Sequence, residues 1–124
     1  MTTFHTPSSP RRVDKPWGYE LIWAETERYA GKTLHVEGGE ALSLQFHERK
    51  DETIYLLSGV LRLEVGLDTQ PLQTLILAPG HSFRIQPGLR HRMTALETCD
   101  VLEVSTPELD DVVRLEDRYG RVGK

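Results

Sequence analysis

The most informative segment of the chain is Gly39-Glu-Ala-Leu-Ser-Leu-Gln45-Phe-His47-Glu-Arg-Lys-Asp-Glu52-Thr-Ile-Tyr-Leu-Leu-Ser-Gly59. Apolar and polar residues alternate up to His47, which predicts a strand that carries Gln45 and His47 on one face. After a charged turn, an antiparallel strand beginning at Glu52 would place its carboxylate beside them. Amide, imidazole and carboxylate groups are all metal ligands, so three candidate ligands are expected to converge.

A fourth candidate ligand lies in the segment Gly80-His-Ser-Phe-Arg-Ile-Gln-Pro-Gly88-Leu-Arg-His91. The pairs Pro79-Gly80 and Pro87-Gly88 bracket a run of strand length, and such pairs favour tight turns. His91 is therefore expected to begin a strand directly after a bend. A single His or Gln on a strand is more often a hydrogen-bonding residue than a ligand, but the combined spacing of the four positions favours a metal site.

The rest of the sequence predicts an all-β protein. Short strand candidates are separated by turn signals and lie at residues 19–23, 32–36, 41–47, 52–57, 61–65, 72–77, 81–85, 91–95 and 101–105. A spacing of about eight to twelve residues is typical of a sandwich or barrel. No long amphipathic helix is predicted. After Thr106-Pro107, acidic residues favour one turn of helix followed by extended chain, although the β-branched residues of 112–115 also suit a strand.

The composition fits one soluble globular domain and argues against several classes of function. The chain has 124 residues, of which 38% are hydrophobic and 27% are charged. Its net charge of −4 and pI near 5.7 argue against nucleic acid as a partner, because phosphate binding favours a basic surface. No apolar run approaches the ~20 residues that span a bilayer, so no membrane partner is expected. The single Cys99 cannot form an internal disulfide, which favours a cytoplasmic location.

The domain organisation is simple. Residues 1–14 contain no apolar core that would make a signal peptide, and they are expected to form a flexible arm. Residues 15–124 are expected to form a single domain. A short barrel has edge strands that proteins usually cover, which favours a homodimer.

The two motif segments together resemble the paired motifs of the cupin superfamily. The positions that match the two motifs are Gly39, Gln45, His47, Glu52 and Gly59, followed by Gly80, Gly88 and His91. Gln45 stands where the superfamily usually has a first His. The resemblance implies a double-stranded β-helix, or jelly-roll barrel, that binds one divalent metal ion through Gln45, His47, Glu52 and His91. Zn²⁺ is the expected metal, with Co²⁺, Mn²⁺ and Fe²⁺ as alternatives.

Three segments are similar to the cupin domain of type II mannose-6-phosphate isomerases. They are Lys15-Pro16-Trp17-Gly18-Tyr19-Glu20, Leu42-Ser43-Leu44-Gln45-Phe46-His47, and the run from Ser105-Thr106-Pro107-Glu108 to Tyr119-Gly120-Arg121. In bifunctional members of that family the domain follows a mannose-1-phosphate guanylyltransferase domain. The resemblance implies a dimeric, metal-dependent sugar-phosphate isomerase that interconverts mannose 6-phosphate and fructose 6-phosphate through an enediolate.

The same resemblance points to the residues that would bind the sugar phosphate. It implies that Arg114 is the catalytic residue and grips the phosphate at the mouth of the barrel, while Lys15, Lys32 and Arg121 are further substrate-binding cations. Arginine suits phosphate because its planar fork binds two oxygens. The base that moves the proton is left open, and the candidates are His81, Glu64 and Asp117.

Two other functions remain open at this point. Two histidines and a carboxylate are the ligand set of non-haem iron oxygenases, although Gln45 occupies a position that such an enzyme would leave open. Related domains often have three consecutive histidines where this chain has His47-Glu48-Arg49, and a further His where Thr53 follows Glu52. These departures leave the sugar open and keep a non-catalytic sugar-binding module as an alternative.

Overall fold

The computed structural model describes residues 3–123. Within that range the chain forms nine β-strands and no helix, so the prediction of an all-β fold is confirmed. The strands are β1 (Arg11–Lys15), β2 (Gly18–Glu25), β3 (Ala30–Val36), β4 (Leu44–Phe46), β5 (Glu52–Gly66), β6 (Gln73–Leu77), β7 (Ser82–Ile85), β8 (Arg90–Ser105) and β9 (Val113–Glu116). None of the described residues belongs to a helix long and apolar enough to cross a membrane.

All the strands belong to one curled antiparallel sheet. One path through it has the order β1-β2-β3-β8-β4-β9. Strand β5 pairs with β8 along the edge opposite to β3 and β4. The first half of β5 also pairs with β7, and its second half also pairs with β6. The long strands β5 and β8 therefore connect all the other elements.

Strands β5 and β8 are bent. The sequence predicts two short strands in place of each, whereas the structure joins each pair into one strand across a bulge. The register between β5 and β8 shifts in the stretch from Leu56 to Leu61. Gly59 lies in this stretch with a φ of 92°, and a Cβ there would lie 2.3 Å from the carbonyl oxygen of Thr98. A side chain has no room at this position, so glycine is what permits the bend.

The bend brings the two ends of this strand pair together in the interior. Along the register of β5 with β8, Glu52 is opposite Ser105, whereas His91 is opposite Val65. In a straight pair, Glu52 and His91 would be about 40 Å apart, at roughly 3.3 Å per residue. Their side chains are 3.6 Å apart in the structure. The curvature of the sheet therefore assembles the site.

The interior contains an apolar core and, beside it, a group of buried ionisable side chains. The core consists of Trp17, Leu34, Val36, Ile54, Leu56, Leu61, Leu63, Val65, Leu77, Ile85, Leu89, Met93, Ala95, Cys99 and Val101. The buried ionisable side chains are Glu20, Lys32, His47, Lys50, Glu52, His91 and Glu103. Burial of charge is costly unless the charges are paired, so a group of this kind is typical of a functional site.

The turn of helix predicted after Thr106-Pro107 is wrong. Residues 106–112 form turns, because the carboxylate of Asp111 accepts hydrogen bonds from the backbone N–H groups of Glu48, Arg49 and Lys50. These bonds tie the segment to the turn after β4. The chain then continues as β9, which pairs with β4, so the extended alternative is confirmed.

Strand β1 begins inside the arm that the sequence analysis places at residues 1–14. Its residues pair with β2 from Arg11 onward, and Arg11 forms an ion pair with Glu25 at 3.0 Å. Residues 3–10 are exposed and irregular. Residues 1 and 2 of the arm and residue 124 of the predicted domain lie outside the described residues, and the division into arm and domain stays a prediction.

Candidate functional site

Three of the predicted metal ligands meet in the interior. His47 Nε2 lies 3.0 Å from Glu52 Oε1, and His91 Nε2 lies 3.6 Å from the same oxygen. The candidate ligand atoms all lie within 4.8 Å of one another. His47 follows β4, Glu52 begins β5 and His91 is the second residue of β8. All three are at most 3% exposed, so the cluster is enclosed by the sheet.

Backbone carbonyl groups fix the orientation of both imidazoles. His47 Nδ1 donates to the carbonyl of Asp111 at 2.5 Å, and His91 Nδ1 donates to the carbonyl of Leu89 at 2.9 Å. Because a carbonyl oxygen can only accept, each Nδ1 carries the proton and each Nε2 faces Glu52. A hydrogen bond from the outer ring nitrogen to a carbonyl is the usual support of a metal-binding histidine.

The donor set fits a divalent metal ion. Burial lowers the pKa of His91 to about 4, so near pH 7 its Nε2 carries a bare lone pair. Burial alone would raise the pKa of Glu52, but its hydrogen bond with His47, its contact with Glu103 and the charge of Lys50 hold it well below its usual range. The lone pair of His91 Nε2 and the ionised carboxylate of Glu52 are both electron donors 3.6 Å apart, and a metal ion could bind to both.

Gln45, the fourth predicted ligand, lies beside the cluster with its amide turned away. It is the Cα partner of His91 in the pairing of β4 with β8. Its Oε1 accepts a hydrogen bond from Ser43 at 2.6 Å, and its Nε2 lies 3.5 Å from His91 Nε2. The amide would have to turn over before its oxygen could bind a metal ion, since the amide nitrogen is not a ligand.

A cavity of about 340 Å³ opens next to the cluster. Its polar lining includes Gln45, His47 and Glu52 together with all four predicted substrate-binding cations, Lys15, Lys32, Arg114 and Arg121. Its apolar lining includes Trp17, Ile22, Leu34, Leu42 and Met93. The volume lies within the range of small-molecule sites. Three of the four predicted metal ligands and all four predicted substrate-binding cations therefore line one cavity, whereas His91 is not part of its lining.

Three of these cations are close enough to repel one another. Burial lowers the pKa of Lys15, and against the opposing charge of Glu20 the charges of Lys32, Arg114 and Arg121 lower it further. Burial and Arg121 likewise lower the pKa of Arg114. Like charges gathered in a partly buried wall are typical of an anion-binding site.

Arg121 is held in place by an acidic neighbour. Its Nε donates to Asp117 Oδ2 at 2.8 Å and its Nη2 donates to Asp117 Oδ1 at 3.1 Å. The two contacts fix the plane of the guanidinium. Asp117 therefore acts through Arg121, and Arg121 keeps its remaining N–H groups for other partners.

Lys32 is paired with two buried carboxylates of the cavity wall. Its Nζ lies 2.6 Å from Glu20 Oε2 and 3.7 Å from Glu103 Oε2. The side chain is 11% accessible. Lys32 is thus placed in the cavity wall as part of a buried ionic network.

Three members of this network, Glu20, Lys50 and Glu103, were not predicted from the sequence. Lys50 Nζ lies 3.1 Å from Glu103 Oε2 and 3.2 Å from Glu52 Oε2, so it connects the network to the metal cluster. Against the effect of burial, these two carboxylates raise the pKa of Lys50. Burial, together with the charge of Glu52, raises the pKa of Glu103 to about 7.

Neither Glu103 nor Lys50 had a signal in the sequence. Glu103 shares a face of β8 with Val101 and Ser105, and the structure buries this face, although Leu102 and Val104 on the opposite face are the more apolar pair. Lys50 gave no signal, because a lysine in a charged turn normally points to solvent. Its burial depends on the contacts of the folded chain.

The three candidate bases all lie outside the cavity lining. Glu64 is paired with Arg92 at 2.9 Å, Asp117 is bound by Arg121, and His81 is exposed and accepts from the backbone N–H of Ala78. The carboxylates that do line the cavity are Glu20, Glu25, Glu52, Glu103 and Asp110.

Comparisons with known proteins agree with this architecture. Residues 32–105 match the family model of the cupin domain. The chain is 36% identical over 124 residues to mannose-1-phosphate guanylyltransferase ManC of Salmonella typhimurium, covering 95% of this chain and 25% of that protein. It is 34% identical over 117 residues to xanthan biosynthesis protein XanB of Xanthomonas campestris pv. campestris, covering 90% of this chain and 24% of that protein. The chain spans about a quarter of the length of these curated relatives.

Solved structures show the same fold. KdgF from Halomonas sp. aligns with a TM-score of 0.69 and 23% identity, covering 81% of this chain and 90% of that chain. Oxalate decarboxylase from Bacillus subtilis aligns with a TM-score of 0.74 and 18% identity, covering 90% of this chain and 33% of that chain. At these identities the likeness concerns the fold alone. The family model, the relatives and the fold agree, and the chain belongs to the cupin domain family.

Proposed function

We propose that the chain is a metal-dependent sugar-phosphate isomerase that interconverts mannose 6-phosphate and fructose 6-phosphate. The observation that carries this proposal is that His47 and Glu52 of the metal-capable cluster line the same cavity as three cations, Lys15, Arg114 and Arg121. A sugar phosphate has an anionic end and a chain of oxygens, which match these two features. Relatives named for mannose 1-phosphate support a sugar as the ligand.

Lys15, Arg114 and Arg121 would bind the phosphate group. A phosphate carries up to about two negative charges near pH 7 and three acceptor oxygens, so it would relieve the repulsion among the cations. Arginine forks bind such oxygens in pairs. Asp117 would keep Arg121 in the orientation that this contact needs.

The metal ion would be held by His47, Glu52 and His91, with the oxygen of Gln45 as a fourth ligand after its amide turns over. Two imidazoles and oxygen donors suit Zn²⁺, and Co²⁺, Mn²⁺ and Fe²⁺ accept the same set. When bound, the ion would polarise and orient the sugar oxygens.

The chain's own residues would supply the rest of the chemistry. The buried ammonium groups of Lys32 and Lys50 place fixed positive charge in the wall, which stabilises negative charge that develops on the sugar oxygens. A group that takes the C2 proton must reach the sugar, so it belongs among the carboxylates that line the cavity. The apolar lining limits the access of water to the intermediate.

The departures from the histidine-rich pattern of related domains bear little on this site. Glu48 and Arg49 are exposed, and the lining of the cavity contains neither these two residues nor Thr53. These three residues therefore give little reason to expect a different substrate. A non-catalytic module that binds a sugar phosphate would use the same cavity and the same cations.

One observation favours a second enzyme class. Because the oxygen of Gln45 is turned toward Ser43, the cluster presents two imidazoles and one carboxylate, the set found in non-haem iron oxygenases. The cations in the cavity wall favour the isomerase, since they match a phosphorylated substrate.

A metal-reconstitution assay tests the proposal. Protein stripped with a chelator should be inactive and should convert mannose 6-phosphate to fructose 6-phosphate when Zn²⁺, Co²⁺ or Mn²⁺ is added. His47→Ala should lose both the bound metal and the activity, whereas His81→Ala, an exposed histidine outside the cavity, should keep both.

Three readouts separate the candidates. If no metal supports turnover but calorimetry still detects mannose 6-phosphate binding, the protein is a binding module. Oxygen consumption that requires Fe²⁺ would instead identify an oxygenase. If His47→Ala retains a full equivalent of metal, the metal assignment is wrong.

A further inference from the structure

Lys50 is a buried cation for which neither phosphate binding nor metal ligation gives a role. It follows the exposed residues Glu48 and Arg49 in the turn before β5, yet its side chain is only 4% accessible. Its backbone N–H donates to the carboxylate of Asp111 at 2.9 Å, and its ammonium contacts Glu103 at 3.1 Å. Both ends of the residue are therefore fixed.

The two carboxylate oxygens of Glu52 have different partners. Oε1 faces the imidazoles of His47 and His91, at 3.0 Å and 3.6 Å. Oε2 faces the ammonium of Lys50 at 3.2 Å. Oε2 is buried and makes no well-aligned hydrogen bond, so the contact with Lys50 is an ion pair. One oxygen is thus directed to the cluster and the other to a fixed cation.

We infer that Lys50 is a positioning residue that limits Glu52 to one oxygen, Oε1, as a metal ligand. Glu103 supports this arrangement, because its Oε2 contacts the same ammonium at 3.1 Å. Without the ammonium, Oε2 would be free to turn toward the ion, and Glu52 could bind through both oxygens. The inference rests on the metal assignment of the proposed function and adds to it the way in which the carboxylate is presented.

The test uses a double variant that removes the ammonium without leaving an unpaired buried charge. Lys50→Met with Glu103→Gln removes the ammonium together with the carboxyl group that it contacts. The matched control is Lys32→Met with Glu20→Gln, which removes an ion pair of 2.6 Å from the same cavity wall. The control leaves the contact between Lys50 and Glu52 in place.

Co²⁺ alone serves as the probe, because its visible absorption weakens as its coordination number rises. The Lys50 double variant should bind one equivalent of Co²⁺ with a weaker and shifted visible spectrum than the wild type. Its affinity for Zn²⁺, measured by competition with a chromophoric chelator, should fall roughly 10- to 100-fold, as is usual when the support of a ligand is lost. The control variant should keep the wild-type spectrum and affinity.

Two results would overturn the inference. One is a Lys50 double variant whose Co²⁺ spectrum and Zn²⁺ affinity equal those of the wild type. The other is an equal change in both double variants, which would assign the effect to the network in general. If the Lys50 double variant fails to fold, Lys50→Gln replaces it, and a wild-type spectrum there counts against the inference. A wild-type protein that binds no Co²⁺ would refute the metal assignment itself.

Discussion

At the residue scale, Arg114 is the cation on which the sequence and the structure agree most closely. It lies on β9 opposite Gln45 of β4 and lines the cavity that contains the metal-capable cluster. A phosphate bound there would also meet Lys15 and Arg121. Beside burial, the charge of Arg121 lowers the pKa of Arg114, and the charges of both arginines lower the pKa of Lys15. We therefore propose that Arg114 shares an anion site with Lys15 and Arg121.

Replacement of Arg114 should weaken sugar-phosphate binding and leave the metal content unchanged. Arg114→Ala should cost on the order of 2–3 kcal/mol, or roughly a thirtyfold to hundredfold loss of affinity for mannose 6-phosphate. Arg114→Lys should restore only part of it, because an ammonium lacks the fork. Calorimetry measures both effects, with Arg28→Ala, on the exposed turn after β2, as the control.

A change within about 0.5 kcal/mol, as for an ordinary surface residue, would remove Arg114 from the phosphate site. Phosphate recognition would then fall to Lys15 and Arg121. Such a result would also weaken the assignment of individual phosphate-binding residues from the resemblance to type II mannose-6-phosphate isomerases.

Some site residues were predictable from their spacing in the sequence, whereas others come into contact only in the folded chain. His47, Glu52 and His91 were predictable because their spacing along two turn-bracketed strands already implies convergence. Lys50 and Glu103 were not, because an ion pair at 3.1 Å between residues so far apart along the chain exists only after β5 and β8 have paired and bent. Residue types alone could not separate a buried lysine from a solvated one.

At the element scale, the sequence predicted the strands well and their continuity poorly. The pattern broke β5 at Ser58-Gly59, since glycine inside a strand is a common turn signal. In the structure the same glycine is the point at which one long strand bends. The bend, and with it the meeting of Glu52 with His91, depends on the close approach of Gly59 to Thr98, which no local pattern contains.

Alanine substitution at two glycines distinguishes the energetic cost of a positive φ from the cost of a clash between an added Cβ and Thr98 O. Gly59 and Gly39 both have positive φ, at 92° and 86°. An added Cβ would lie 2.3 Å from Thr98 O at Gly59 but would meet nothing within 4 Å at Gly39. Gly39→Ala should therefore cost only the strain, roughly 1 kcal/mol of unfolding free energy, and Gly59→Ala should exceed about 3 kcal/mol.

Urea unfolding at equilibrium measures both free energies. Metal content provides a second readout, because a displaced bend would separate Glu52 from His91 and reduce binding in Gly59→Ala alone. Equal costs in the two variants would mean that the backbone contact at Gly59 contributes nothing beyond strain.

At the scale of the whole molecule, the spacing of the strands and the paired motifs were enough for the cupin fold, and the comparisons confirm it. What the sequence could not provide is the interior arrangement, in which one cavity joins a metal cluster to a group of cations. The homodimer expected from the edge strands stays a prediction.

A histidine that is not part of the cavity lining, His35, is expected to make the stability of the whole molecule depend on pH. His35 joins two neighbouring strands: its Nδ1 contacts Asp100 Oδ1 at 2.8 Å, and its ring stacks on Tyr19 with centroids 4.7 Å apart. The hydrogen bond with Asp100 raises the pKa of His35 against the smaller effect of burial. The folded protein therefore holds this proton more tightly than the unfolded chain does.

The sign of the resulting pH dependence follows from linkage. A raised histidine pKa contributes stability that is fully present below the unfolded value of about 6.5 and is lost as pH rises through the folded value. His35→Gln should therefore destabilise the protein more at about pH 5.5 than at about pH 9, because the protonated imidazole gains more from Asp100 than the neutral one does. Urea unfolding of both proteins at the two pH values measures the difference, with the exposed His5→Gln as the control. The same destabilisation at both pH values would show that His35 contributes through its ring stacking on Tyr19, without any contribution from its charge.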